Sequence, residues 1–181
     1  MGKSVIVILR SDMDLKKFKF KVPKQERITD DQNLLLAELN SLLAEEFQAW
    51  YQYYIVAPFL FGNERSAIQA EFMKLADDEL NDHATQLIDR INELGGECVL
   101  KTPETWKSVA SLDFLQAPLD VASQLQINRV AELGAIEHYK RAIELAEQVK
   151  DEVSKDIFKR ILADEEEHLS ELNDFIKDIN T

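Results

Sequence analysis

Apolar residues recur every three or four positions along most of the chain, which is the spacing of one face of an α-helix. The first such stretch begins at Asp30 and Asp31, which we expect to cap it, and ends at Gly62–Asn63. The second ends at Gly95–Gly96, a strong signal for a helix C-terminus. Two further stretches follow Pro118, so the pattern predicts four long helices.

The connections between these helices differ greatly in length. A segment from about Glu97 to Pro118 joins the second helix to the third. The turn between the third and fourth helices is placed mainly by symmetry at Lys150–Asp151, beside Gln148–Val149, and contains no Gly or Pro. Two long helices, a long crossover and two more long helices are typical of a four-helix bundle with a single crossover. We therefore predict an all-α four-helix bundle in residues 30–181, with the crossover between helices two and three.

Residues 1–29 form an N-terminal arm of different composition. Residues 1–27 contain eight basic and three acidic residues, a net charge of +5, whereas the chain as a whole carries −13. The arm also contains the apolar run Val5–Leu9, which resembles a strand or docking segment and is too short for a membrane span or a signal-peptide core. A basic arm of this kind either packs on the body or contacts DNA phosphates. We expect a cytoplasmic protein with no membrane contact.

Composition narrows the class of protein further. A chain of 181 residues is long enough for one domain with a substantial core, and five Gly and four Pro are too few for a loop-rich fold. Its single cysteine, Cys98, excludes a disulfide framework and any cysteine-based zinc or iron–sulfur site within one chain. The acidic body is expected to attract cations.

Charged residues interrupt the apolar face of every predicted helix. The interruptions are Glu46 in helix one, Glu79 and His83 in helix two, Glu132 in helix three, and Glu165 and His168 in helix four. Glu46 and Glu79 are 33 residues apart, and Glu132 and Glu165 are also 33 residues apart. Because each pair is centred on or beside a predicted turn, the two glutamates of each helical hairpin should lie at the same height. Six such residues with two equal spacings favour a common site over ordinary helix-surface pairs.

Four buried carboxylates require neutralisation, because each buried anion costs several kcal/mol and like charges repel. The stripes carry no Lys or Arg at these positions, and two divalent cations would balance the charge. Carboxylate and imidazole ligands suit iron or manganese. One Glu from each of two helices, with a Glu–His pair from each of the other two, is the ligand set of di-iron carboxylate bundles.

Aromatic residues follow the glutamates on the same faces. Trp50 and Tyr53 lie four and seven residues beyond Glu46, where they either donate electrons to the site or pack in the core. Tyr139 occupies the corresponding position seven residues beyond Glu132. The remaining histidine, His138, falls off this face and is interpreted as a surface or interface residue.

Residues from about 30 to 180 resemble the ferritin-like superfamily, especially bacterioferritins and the Dps-like miniferritins with a bacterioferritin-type site. The stretches that carry the resemblance are LAEEFQAWYQY (43–53), HATQLIDRI (83–91), AELGAIEHY (131–139) and ADEEEH (163–168). The resemblance implies two iron ions per subunit, with manganese or zinc as substitutes. The ligands that it implies are Glu46, Glu79, His83, Glu132, Glu165 and His168.

The resemblance also implies a function. Such proteins are ferroxidases: they oxidise Fe(II) with hydrogen peroxide or dioxygen, store ferric mineral in a hollow homo-oligomeric cage, and so protect against oxidative stress. The chain ends at Thr181 without the extra short helix of 24-subunit cages, which favours a dodecamer.

Three features depart from the family pattern. The usual second-helix motif Glu-x-x-His is one residue longer here, from Glu79 to His83, so either a π-bulge or a shifted ligand is expected. Leu80 stands where bacterioferritins have a haem-binding Met, so haem is not expected. Cys98 is alone where some Dps-like proteins have a cysteine pair.

Other functions remain open at this stage. A rubrerythrin-like peroxidase or a manganese catalase would use the same ligands, although the chain lacks the Cys-x-x-Cys motifs of a full rubrerythrin. A DNA-binding Dps-type stress protein would act through the basic arm, and a metal-free structural bundle is the simplest alternative.

Overall fold

The computed structural model describes residues 29–98 and 117–179, and these residues form an all-α bundle. Its helices are α1 (Asp30–Val56), α2 (Arg65–Asp78), α3 (Ala84–Glu93), α4 (Val121–Gln148) and α5 (Glu152–Asp178). A π-helical turn, Glu79–His83, joins α2 to α3, so that the two together make one long helix. The predicted four-helix fold is confirmed. The interpretation of residues 1–28 as an arm lies outside the described residues.

Contacts between helices establish the direction of each. The Asn40 amide on α1 donates to the carbonyl of Glu97, so the end of α3 lies beside the first half of α1. Gln52 of α1 bonds Asn128 of α4, and Glu45, about two turns earlier in α1, contacts His138, about three turns later in α4, so α1 and α4 are antiparallel. It follows that α3 and α4 run in the same direction.

Two parallel helices in sequence require a connection that returns along the bundle. Phe61, after α1, exchanges backbone hydrogen bonds of 3.1 Å with Leu119 and Val121 at the start of α4. This end of the bundle is opposite to the one where Gly96 packs against Leu36. The ends of the predicted crossover are therefore placed as expected, and its residues 99–116 lie outside the described part of the chain.

The helix termini show one correction to the sequence analysis. Thr29, and not Asp30 or Asp31, caps α1: its hydroxyl accepts from the Gln32 N–H, and the Gln32 side chain accepts from the Thr29 N–H. The extended backbone of Thr29 suits an N-cap, whereas both aspartates already lie in the first turn, where they complement the helix dipole.

The turn between α4 and α5 lies beside the position that symmetry predicted. Lys150 adopts a left-handed backbone with φ of 60°, a conformation that usually favours glycine, which explains why the sequence marks the turn so weakly. Asp151 caps the N-terminus of α5. The guanidinium of Arg90 on α3 donates hydrogen bonds of 2.7 and 2.8 Å to the Asp151 carboxylate and one of 2.8 Å to the Ser154 hydroxyl.

Two apolar clusters occupy the two ends of the bundle interior. One includes Leu39 and Phe158 with residues of α3 and α4, and the other includes Phe72 and Leu172 with residues of α1 and α4. Burial of each large apolar side chain stabilises the folded state by about 1.5–3 kcal/mol relative to leaving it exposed. Between the clusters lies a polar layer, which they shield from water on both sides along the bundle axis. Among the described residues, no helix has the length and apolar character needed to cross a bilayer.

Candidate metal centre

Six polar side chains meet in this layer, and every long helix of the bundle supplies at least one. All are at most 3% exposed. They are Glu46 of α1, Glu79 and His83 of the π-helical turn, Glu132 of α4, and Glu165 and His168 of α5. The structure thus brings together the six residues that the sequence analysis singled out.

The six residues form two overlapping groups of four. Potential ligand atoms of Glu46, Glu79, His83 and Glu165 all lie within 4.8 Å of one another, and the same holds for Glu79, Glu132, Glu165 and His168. Glu79 and Glu165 belong to both groups. The geometry therefore offers two adjacent cation positions that share two carboxylates.

Each histidine turns its Nδ1 atom toward the carboxylates. Nδ1 of His83 lies 3.0 Å from Glu79 Oε2, 3.3 Å from Glu46 Oε2 and 3.4 Å from Glu165 Oε1. Nδ1 of His168 lies 3.5 Å from Glu79 Oε1 and 3.6 Å from Glu165 Oε2. The two rings stack with centroids 5.5 Å apart.

The π-helical turn accommodates the longer spacing between Glu79 and His83. The Ala84 N–H bonds the Glu79 carbonyl five residues earlier, which is the π-helical pattern. The wider turn absorbs the extra residue, so both side chains face the interior. Of the two arrangements left open by the sequence, the structure contains the π-bulge, and His83 lies within the cluster.

The pKa values of the four carboxylates of the cluster shift in opposite directions. Burial, together with the neighbouring charges of Glu79 and Glu165, raises the pKa of Glu46 and of Glu132 well above its usual value. Burial acts in the same direction on the two shared carboxylates, but hydrogen bonds with the histidines lower the pKa of Glu79 and of Glu165 below its usual value.

The histidines respond in the opposite way to burial. Burial alone would lower their pKa, but the adjacent carboxylates of Glu165, Glu46 and Glu79 raise the pKa of His83 strongly, and those of Glu165 and Glu79 raise the pKa of His168 to about 10. In the metal-free protein, the histidines and the shared carboxylates thus each favour the charged form of the other.

Several buried atoms of the cluster have no hydrogen-bond partner. Among the described residues these include Glu79 Oε1, Glu165 Oε2 and His168 Nδ1. An unsatisfied buried polar group costs about 1–3 kcal/mol. These three atoms all point into the space between the ligand groups, where cations would satisfy them. A donor set of four carboxylates and two imidazoles fits iron or manganese.

Two tyrosines donate hydrogen bonds to Glu46 and Glu132, the two carboxylates that each belong to only one of the ligand groups and are called the outer carboxylates below. The Tyr53 hydroxyl donates to Glu132 Oε1, and the Tyr139 hydroxyl donates to Glu46 Oε1. Burial raises the pKa of both phenols, which keeps them protonated as donors. Trp50, in contrast, is half-buried, and its ring contacts are with Phe47, Tyr51 and Tyr54.

A cavity of about 280 Å³ reaches the cluster from the side of α1 and α4. Its wall includes Glu46 and Glu132 from the cluster, the small residues Ala49 and Gly134, and the buried amides of Gln52 and Asn128. The sequence analysis did not identify this amide pair, because nothing in a helical apolar stripe distinguishes a buried Gln or Asn from an exposed one.

His138 also lines this cavity; of the two interpretations, surface or interface, its burial makes the surface one wrong and leaves the interface one a prediction. It is 8% exposed, with Nδ1 2.8 Å from Glu45 Oε2 and Nε2 3.1 Å from Glu38 Oε1. The two α1 carboxylates cover it, and hydrogen bonds to Glu38 and Glu45 raise the pKa of His138 to about 9. Partners on another helix could not be inferred from its position on α4 alone.

The fold and the cluster define a class of protein: an all-α bundle with a buried carboxylate and histidine centre. A model of the ferritin-like domain matches residues 36–181. The chain belongs to the ferritin-like family, as its sequence resemblance indicated.

Solved structures agree with this assignment. A dodecameric thioferritin, the bacterioferritin-related protein from Bacteroides fragilis, is 37% identical, with a TM-score of 0.75 over 82% of this chain and 88% of that one. A ferritin-like, diiron-carboxylate protein from Bacillus anthracis is 25% identical, with a TM-score of 0.70 over 82% of this chain and 99% of that one.

Proposed function

We propose that this protein is a ferroxidase of the iron-storage type. It takes up two Fe(II) ions in the buried centre, oxidises them to Fe(III) with hydrogen peroxide or dioxygen, and stores the ferric product. The observation that carries this proposal is the overlap of two four-residue ligand groups in Glu79 and Glu165. Such sharing would place two metal ions side by side, as a two-electron reaction with one oxidant requires.

We assign the six side chains to two positions for the substrate ions. Glu79 and Glu165 would bridge both ions, Glu46 and His83 would complete one position, and Glu132 and His168 the other. Two Fe(II) ions supply one electron each. With peroxide, the two electrons and two protons cleave the O–O bond and give two water molecules; with dioxygen, they give one hydrogen peroxide.

Neighbouring residues prepare the site for this reaction. The hydroxyls of Tyr53 and Tyr139 each bond one oxygen of Glu132 and Glu46, which would restrict the movement of these carboxylates when ions bind. The cavity between α1 and α4 is large enough to admit an oxidant of the size of peroxide or dioxygen. Tyr53 is also placed to donate an electron, whereas the ring contacts of Trp50 suit packing.

One solved relative supports the assembly that we propose. The Bacteroides fragilis relative is described as dodecameric, and we propose a homo-oligomeric cage of 12 subunits for this chain. Its net charge of −13 would concentrate Fe(II) around such a cage. Removal of Fe(II) and peroxide together would protect the cytoplasm from oxidative stress. Iron is the proposed metal, with manganese or zinc as substitutes.

An anaerobic titration with Fe(II), followed by a pulse of peroxide or air, tests the proposal. We expect two Fe(II) per subunit to be oxidised rapidly, and Glu46→Ala or Glu132→Ala to slow this phase by at least an order of magnitude. Glu137→Ala, an exposed glutamate of α4, is the matched control and should behave as wild type. Peroxide breakdown without net oxidation of iron would instead indicate a catalase, and no metal binding would leave a structural bundle.

A further inference from the structure

A chain of buried amides leads along α4 to the cavity beside the cluster. Gln52 of α1 donates a hydrogen bond of 2.7 Å from Nε2 to Asn128 Oδ1, and Asn128 Nδ2 donates one of 2.8 Å to the backbone carbonyl of Gln124. Gln124 in turn donates from Nε2 to the backbone carbonyl of Pro118 at 2.7 Å. All three amide side chains belong to residues that are at most 4% exposed. Because each bond has a defined donor and acceptor, the chain fixes which end of the Gln52 amide carries the nitrogen.

Gln52 has hydrogen-bonding groups that this chain does not use. A glutamine amide has two N–H donors and one acceptor oxygen, and the bond to Asn128 occupies one donor. Among the described residues, no group bonds the second N–H or the Oε1 atom of Gln52. Unpaired polar groups are costly in an apolar interior, so we expect a small polar molecule beside Gln52.

The cavity of about 280 Å³ places these unused groups near the outer carboxylates. Gln52 and Asn128 line it together with Glu46 and Glu132. Asn128 is four residues before Glu132, which is about 6 Å along the same face of α4. Tyr53, the residue after Gln52, donates to Glu132. A small molecule in this part of the cavity would therefore lie between the Gln52 amide and ions held by the outer carboxylates.

We infer that Gln52 binds hydrogen peroxide and gives the centre a preference for this oxidant over dioxygen, a conclusion that rests on the proposed function. Hydrogen peroxide has two O–H donors and lone pairs on both oxygens, so it can donate to Gln52 Oε1 and accept from the second Nε2–H. Dioxygen has no donor and is a poor acceptor, so the amide favours peroxide alone. Asn128 is a positioning residue, because its Oδ1 atom orients the Gln52 amide.

The amide acts on the binding of the oxidant and takes no part in electron transfer. Each of two Fe(II) ions gives one electron, the O–O bond of peroxide breaks, and two protons from solvent complete two water molecules. Gln52 holds the peroxide close to the ions before this step, which is catalysis by proximity. Its effect should therefore appear in the peroxide concentration that gives half the maximal rate.

A purely structural tie between helices is the competing interpretation. The bond from Gln52 to Asn128 joins α1 to α4, and such a tie alone would explain why the two amides are buried together. It would not explain the unused groups of Gln52 in the cavity wall. A structural tie also predicts equal effects on oxidation by peroxide and by dioxygen, so the choice of oxidant separates the two interpretations.

The test is stopped-flow oxidation of the full-length protein, loaded anaerobically with Fe(II) and mixed with peroxide or dioxygen over a range of concentrations. We expect wild type to react faster with peroxide than with dioxygen at equal concentration. Gln52→Met keeps the length of the side chain but removes both hydrogen-bonding groups. It should raise the half-saturating peroxide concentration about tenfold, as expected for the loss of one or two hydrogen bonds, and change the limiting rate and the dioxygen reaction less than about twofold.

Two further variants complete the test. Asn128→Ala leaves Gln52 in place but removes the acceptor that orients it, so it should raise the half-saturating peroxide concentration by a smaller factor, about threefold. Gln126→Met, at an exposed position of α4, is the matched control and should behave as wild type. Titration with Co(II) checks that each variant still folds and binds two metal ions per subunit.

Each result decides a separate question. Equal slowing with both oxidants, an unchanged half-saturating peroxide concentration in Gln52→Met, or a wild type that prefers dioxygen overturns the role of Gln52 while the ferroxidase proposal stands. If Gln52→Met binds no Co(II), Asn128→Ala decides in its place, and an unchanged peroxide dependence there overturns the role. A wild type that oxidises no Fe(II) with either oxidant overturns the proposed function itself.

Discussion

The Tyr139 hydroxyl on α4 donates a hydrogen bond to the Glu46 carboxylate on α1. The same two helices repeat this bond with the roles exchanged, because Tyr53 on α1 donates to Glu132 on α4. Each helix thus contributes one outer carboxylate and the phenol that holds the carboxylate of the other. The centre is approximately two-fold symmetric around the antiparallel α1–α4 pair.

Removing either phenol hydroxyl should affect stability and metal binding together. Tyr139→Phe and Tyr53→Phe keep the ring in the core but leave a buried carboxylate oxygen without its donor, which costs about 1–3 kcal/mol. We expect the free energy of unfolding of the metal-free protein to fall by this amount, and iron oxidation to slow, as measured by urea denaturation and stopped-flow absorbance. Tyr54→Phe, at an exposed position, is the control. If all three variants behaved alike, the hydrogen bonds of Tyr53 and Tyr139 would contribute neither to stability nor to iron oxidation.

Replacing an outer glutamate by its amide should separate stability from function. Glu132→Gln preserves shape and removes a buried carboxylate that Glu165 and Glu79 repel. We expect the metal-free variant to unfold at a higher temperature than wild type at neutral pH, yet to gain less from added Co(II), as differential scanning calorimetry would show. Glu137→Gln, on the exposed side of α4, should change neither quantity. A metal-free variant less stable than wild type would contradict the burial argument.

Arg90 should be essential to the junction between α3 and α5. Arg90→Leu leaves Asp151 and Ser154 without their donor, and we expect a loss of about 2–3 kcal/mol in the free energy of unfolding. Arg90→Lys should restore little, because a single ammonium group cannot replace the guanidinium, whose Nη2 bonds Asp151 while its Nε bonds Ser154. Full rescue by lysine would show that charge alone matters.

The same junction has a defined pH dependence. Burial would raise the pKa of Asp151, but hydrogen bonds from Ser154 and Arg90 lower it below its usual value. A lowered pKa in the folded state means that this stabilisation is present above the unfolded-state pKa of about 4 and is lost as pH falls through the folded-state value. Asp151→Asn should therefore be destabilising at pH 7, with a smaller difference from wild type near pH 3 in chemical denaturation.

His138 should stabilise the metal-free protein in a different pH range. Its pKa is raised to about 9 by Glu38 and Glu45, against about 6.5 in the unfolded chain. The stabilisation is complete below pH 6.5 and is lost as pH rises through about 9. His138→Gln should thus cost most at pH 6 and progressively less toward pH 10, as measured by urea denaturation at each pH. A difference from wild type that does not vary with pH would mean that the two ion pairs contribute nothing.

Much of the fold could be predicted from the sequence because the helices are long and strongly periodic. The 33-residue spacings indicated which glutamates share a height, and the structure places them together; their role as ligands is still a prediction. The extra residue between Glu79 and His83 indicated either a π-bulge or a shifted ligand. Residue spacing alone could not decide between these two alternatives.

Features that depend on a second helix escaped prediction. His138 is buried by carboxylates of α1, which its own position on α4 does not indicate. The cap at Thr29 was missed for a different reason: Asp30 and Asp31 have equally strong capping propensity, and only the backbone conformation decides between the three.

The most direct test of the central claim is anomalous diffraction at the iron edge from crystals soaked anaerobically with Fe(II). Two peaks about 3.5–4 Å apart, with Glu79 and Glu165 contacting both, are the predicted result. A buried layer without anomalous density, with iron only at surface carboxylates, would contradict it.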